Sequence, residues 1–137
     1  MARRNPSTSF AARATNIAGM EFDSFSIGLL LLRPDAPVLD AQAEDELQDA
    51  HMDHLAQLHE AGLLLAAGPL RPPDGGPNRG LSILRLEPQK AQEALERDPA
   101  VLAGRYSVLV LPWLVPAGAI SFSPTRFPRS LAEARAS

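Results

Sequence analysis

Residues 48–69, QDAHMDHLAQLHEAGLLLAAGP, decide how the rest of the chain is read. At about 100° per residue, Leu47, His51, His54, Leu55, Leu58 and Ala61 gather on one side of a helix. Asp45, Asp49, Asp53, Gln57 and Glu60 gather on the other. Gly62 stops the helix, and Leu63–Ala67 reads as a short strand closed by Gly68-Pro69. The polar face is complete without the histidines. An unpartnered polar group buried among leucines costs about 1–3 kcal/mol, so each imidazole needs a partner or a task. A lone histidine in this position reads as a core residue bonded to a carbonyl, whereas two on one face point toward a site.

Working outward, Ser24–Leu32 (SFSIGLLLL) is an apolar run of strand length, ended by the turn residues Arg33-Pro34-Asp35-Ala36-Pro37. Asp40 caps the helix. The stretch Arg71–Asn78 (RPPDGGPN) is long for a hairpin loop and suits either a lid or a solvated excursion. Gly80–Leu86 alternates apolar and polar residues and reads as a strand. Pro88 opens a second helix over Gln89–Arg97, which Asp98-Pro99 ends, and Tyr106–Val115 is the last strand. A short helix is expected at Ser130–Ala136. The order β-α-β-β-α-β predicts an α+β, ferredoxin-like domain: a four-stranded antiparallel sheet with two helices on one face. Ile27, Leu29, Leu31, Leu64, Ile83 and Leu109 cannot all face two helices, so a second copy of the chain is expected over the bare sheet face. On this reading Leu29→Glu strikes the core or that interface, and Ile27→Glu the opposite face.

At 137 residues the chain suits one domain, and 45% hydrophobic with 21% charged residues is ordinary for a globular protein. No apolar run approaches the ~20 residues of a membrane-spanning helix. The absence of cysteine excludes disulfides, thiolate nucleophiles and cysteine-ligated zinc. Between Glu21 and Ser123 there are 15 acidic and 7 basic residues, a sign that disfavours a nucleic acid partner. The ends are basic: Arg3, Arg4 and Arg13 on one side, Arg126, Arg129 and Arg135 against Glu133 on the other. Residues 1–20 are expected to be a flexible extension that adds nothing to the fold, with Met20 a candidate start. Residues 21–116 form the domain and 117–137 a tail.

Three segments resemble the YCII-related (YciI-like) family: H-x-x-H-L-x-x-L-H-E-A-G-x-L-L-x-A-G-P from His51 to Pro69, the strand entry Gly80-Leu81-Ser82-Ile83-Leu84, and Asp98-Pro99 followed by Ala103-Gly104 and a strand ending in Leu111-Pro112-Trp113. They span Ser24–Val115. The resemblance implies a dimeric α/β barrel of ferredoxin-like subunits. It also implies a site made of a helix histidine and the aspartate of the D-P motif, here His51 and Asp98. Some relatives act on aromatic ring-cleavage or dehalogenation intermediates. Gln48-Asp49-Ala50, where members often carry an arginine, and Ala100, where an aromatic residue is common, depart from the pattern and bear on substrate specificity.

A histidine facing an aspartate is an acid–base pair: the carboxylate fixes the tautomer while the other nitrogen meets the substrate. It suits proton transfer, isomerisation or elimination on a small organic, aromatic-derived substrate. No serine sits in an elbow motif. Read alone, Asp98 caps a helix and starts a turn. His54, Arg79 and Arg105 are candidate substrate-binding residues, the arginines for an anionic group, although lone arginines are more often solvated. His59 lies at the edge of the apolar stripe. A metal held by His51, His54 and Asp98 ranks below metal-free chemistry, because the spacing lacks the glutamate of H-E-x-x-H. The expectation is a cytoplasmic homodimer acting on a small molecule, with no cofactor, metal, nucleic acid or membrane partner. The alternative is a non-catalytic ligand-binding or interaction module on the same scaffold.

Overall fold

A computed structural model describes residues 14–136. These residues fold as five strands, β1 (Ala14–Ile17), β2 (Met20–Leu32), β3 (Leu64–Pro69), β4 (Asn78–Leu84) and β5 (Tyr106–Pro116), with four helices. The helices are α1 (Ala41–Glu60), α2 (Pro88–Glu96), α3 (Pro99–Leu102) and α4 (Leu131–Ala136). All strand pairings are antiparallel. β2 is central, with β5 along one edge over Phe22–Leu32. The other edge is shared end to end by β1, which pairs Met20–Asp23, and β4, which pairs Ser26–Leu31. β3 lies outside β4. The order β5-β2-β4-β3 is the ferredoxin-like sheet, extended by β1.

β1 places the last part of the expected extension, from Ala14 on, in the sheet. Residues 1–13 lie outside the described residues, but Ala14–Ile17 pair with Met20–Asp23 through a two-residue loop. Ala18 and Gly19 both take positive φ, 53° and 78°, which is the turn whose twist suits a tight hairpin. Asp98-Pro99 does more than end α2: it also opens α3, with Pro99 in the first turn.

The two faces of the sheet are packed differently. Ser26, Gly28 and Leu30 of β2 face the helices. Ser26 Oγ donates to the Leu86 carbonyl at 2.6 Å. The core cluster is Leu64, Leu84, Ala91 and Leu95, with Leu55, Leu58, Val108 and Val110 packed against it. Gly28 leaves room for Leu95: a Cβ there would run into Leu95 Cδ1. On the opposite face, Phe25 and Val115 are buried beneath Trp113, Ile120 and Phe122, because the chain folds back after β5. Beyond that cover Leu109 and Leu111 stay 42% and 46% exposed. Leu109 pairs with Leu29 and Leu111 with Ile27, so all four share this face. Ile27 and Leu29 therefore do not address opposite faces, as residues two apart on a strand cannot.

Candidate active site

α1 positions the site. Asp40 is its N-cap, accepting from the Ala43 N–H at 2.8 Å, and Gly62, at φ 79°, lets the chain turn into β3. His51 lies in the middle of α1 and is mostly buried, its side chain 14% exposed. Its Nδ1–H donates to Asp98 Oδ2 at 2.6 Å. Asp98 is wholly buried, and its second oxygen, Oδ1, accepts from the Ala100 N–H at 2.9 Å. One oxygen caps α3 and the other holds the imidazole, so capping and orienting are not alternatives for this residue. The carboxylate fixes Nδ1 as the protonated nitrogen and leaves Nε2 for other partners.

His51 borders a cavity of about 310 Å³ under α1. Its polar lining is Gln48, His51, Arg79, Ser82 and Tyr106. The apolar lining includes Leu30, Met52, Leu55, Leu81, Phe127 and Pro128. The Tyr106 ring lies 6.4 Å from that of His51, centre to centre. Arg79 donates to the Gly76 carbonyl, and among the described residues no carboxylate pairs with it. A guanidinium without a carboxylate at a cavity wall is suited to an anionic oxygen.

The other expected site residues point elsewhere. His54 does not line the cavity; its Nε2–H donates to the Ala94 carbonyl at 2.9 Å and ties α1 to α2. The expected substrate-binding role has no cavity contact behind it, and the bond to Ala94 is that of an ordinary core histidine, worth about 1 kcal/mol. Arg105 also lies off the cavity. It is paired with Glu44, and this hydrogen bond raises the guanidinium above its ordinary value. His54 and His51 diverge although they are one helical turn apart, because one follows the α2 backbone and the other the buried Asp98. Among the described residues no group of three His, Asp or Glu side chains gathers as a metal site.

His59 plays a part the sequence reading did not give it. Its Nε2 accepts from the Thr125 N–H at 3.2 Å and its Nδ1–H donates to the Leu64 carbonyl at 2.7 Å. Its ring stacks on Phe127 at 4.0 Å and 12°. The Arg71–Asn78 loop supplies none of the cavity lining; Phe127 and Pro128, from the far end of the chain, do.

The sequence from residue 29 to residue 114 matches the model of the YCII-related domain. The chain belongs to the YCII-related family. No curated protein matches it at a significant level. Among solved structures it resembles a 5-chloro-2-hydroxyhydroquinone dehydrochlorinase from Burkholderia phenoliruptrix, solved with 2,5-dihydroxybenzoquinone, at 20% identity and a TM-score of 0.47, covering 65% of this chain and 92% of that one. It also resembles a dimeric protein of unknown function with a ferredoxin-like fold from Bacteroides fragilis, at 18% identity and a TM-score of 0.42, covering 67% of this chain and 95% of that one. The YCII-related segment carries His51, Arg79 and Asp98; Phe127 and Pro128 fall outside it.

Proposed function

We propose that this YCII-related protein is a small-molecule acid–base enzyme in which His51 moves a proton and Asp98 orients it. The observation that carries this is the 2.6 Å bond from His51 Nδ1–H to a wholly buried carboxylate at the edge of a cavity. Nε2 takes a proton from a carbon beside a carbonyl and returns it at another atom, giving isomerisation, or a leaving group departs, giving elimination. Arg79 binds an anionic oxygen of the substrate, and the apolar walls select a compact, ring-sized molecule. The cavity is at the small end of the ~300–1,000 Å³ typical of ligand sites. No nucleophile is needed. A binding module would also use a cavity with a cation, but it has no need for an imidazole fixed by a buried carboxylate, and this favours the enzyme.

The test is proton exchange. Enolisable ring ketones bearing a carboxylate or phenolate are incubated in D2O with the wild type and with His51→Gln, and exchange at carbon is followed by NMR. The expected result is exchange by the wild type and a loss of about 10²–10⁴-fold in the variant. Binding of the same compounds without exchange by either protein would favour the binding module. The same reading includes a homodimer formed through the open sheet face around Leu109 and Leu111.

A further inference from the structure

Part of the acidic side of α1 is engaged by the end of the chain. Arg129 pairs with both Asp53 and Glu60 of α1. The Leu131 N–H donates to Asp49 Oδ1 at 2.8 Å. The Thr125 N–H donates to His59 Nε2, and Phe127 lies flat on the same ring. Arg126 and Glu133 pair across the base of α4 at 2.9 Å. Thr125–Ala136 is thus tied to α1 at points spread over three of its turns. Between the His59 and Arg129 anchors, Phe127 and Pro128 reach the cavity wall, and Phe127 also packs against the core cluster. All of these tail residues lie beyond the family segment.

We infer that Thr125–Ala136 is a strap over α1, and that Phe127 is the wall that closes the His51 cavity against solvent. The role as an active-site wall rests on the acid–base reading; the closure itself does not. The family domain supplies the acid–base pair and the cation. The strap adds Phe127 and Pro128 to the apolar wall that Leu30, Met52, Leu55 and Leu81 begin, and so limits what enters. His59 is the positioning residue: with Nδ1–H committed to Leu64, its Nε2 lone pair receives Thr125 and its ring seats Phe127.

The three histidines of the chain allow a test that needs no substrate. Carbethoxylation by diethyl pyrocarbonate is followed at each histidine by peptide mass spectrometry. His51 reports the cavity, His59 the strap and His54, bonded to Ala94, the body of the fold. In Phe127→Ala the His51 rate should rise at least threefold while His54 stays within twofold of wild type. In Arg129→Ala combined with Asp49→Ala, which removes the Asp53, Glu60 and Leu131 anchors and leaves the core cluster untouched, His59 and His51 should rise together. A His51 rise of less than threefold in Phe127→Ala overturns the inference, and so does a His51 rate that does not rise in the anchor variant. All three rates rising together in Phe127→Ala would signal unfolding, and the anchor variant then decides by the same criterion. Turnover is not read here, so a negative proton-exchange result would count against the catalytic reading and leave the closure standing.

Discussion

At the scale of residues, Asp98 shows how much one buried carboxylate carries. Removing it in Asp98→Ala uncaps α3 and leaves the His51 Nδ1–H buried without an acceptor. Loss of the cap and of one buried partner together cost about 2–4 kcal/mol, read as a lower urea midpoint. Asp98→Asn keeps an oxygen for the Ala100 N–H and so keeps most of that stability. It turns an amide N–H toward His51, however, which forces the proton to Nε2. The expected outcome is a folded protein whose 15N imidazole spectrum shows the other tautomer at His51 and whose proton exchange falls about 10²–10⁴-fold. A wild-type tautomer in Asp98→Asn would separate the two residues. The pairing of His51 with Asp98 was expected through the family resemblance: an apolar helix face singles out His51, but Asp98 read alone is a cap and turn residue. The fates of His54 and Arg105 were not legible. Each is decided by one neighbour distant in sequence, the Ala94 carbonyl for His54 and Glu44 for Arg105, and nothing local names that neighbour.

At the scale of elements, apolar periodicity, Gly62 and Pro88 were enough to give β2, α1, β3, β4, α2 and β5 in order. β1 escaped notice because its turn is Ala18-Gly19, where a tight hairpin ordinarily advertises itself with Asn-Gly. The strap escaped because acids on a helix read as a solvated face, although the acidic middle and basic ends of the chain were the available signal. Two outcomes belong here. Gly28→Ala pushes a methyl into Leu95, itself 1% exposed, and should destabilise by about 1–3 kcal/mol in urea unfolding. The strap should loosen in acid. The Arg129 hydrogen bond, followed by that of Gln57, holds the Asp53 carboxyl below its ordinary value. A carboxylate depressed in the folded state contributes stability above its unfolded value, and that contribution is lost as pH falls through the folded one. Docking is therefore complete at neutral pH and weakens only below the usual carboxylate range. Protection of the Leu131 and Thr125 amides against hydrogen exchange should fall there, and fall further in high salt because these pairs are solvent-exposed. Protection unchanged down to the acid unfolding transition would remove Asp53 from the anchor.

At the scale of the whole molecule, the described residues finish one side of the sheet and leave the other open. The helix side of the sheet is sealed by α1, α2 and the strap. Among the described residues the far side is covered at one end, where Ile120 and Phe122 lie over Phe25 and Val115. Along the rest, Ile27 and Leu29 stand beside Leu111 and Leu109, and the last two are nearly half exposed. A contiguous apolar strip on a sheet face carries a standing cost in water that one further layer relieves. A second copy offers the same strip in return, and a self-complementary face gives a closed twofold dimer with no edge left to propagate. Such a dimer would bury on the order of 1,200–2,000 Å² in total. Light scattering at micromolar concentration should therefore give twice the 14.7 kDa chain mass. Leu109→Glu with Leu111→Glu places two like charges on the strip without touching Gly28, Leu84 or Leu95 on the helix side. The variant should run as a monomer that keeps its helical circular dichroism and its His51 tautomer. A wild type at the single-chain mass would mean that the strip is left to solvent or to a different partner, and would remove the barrel from the reading while leaving the His51 cavity, which one chain builds alone, as it is.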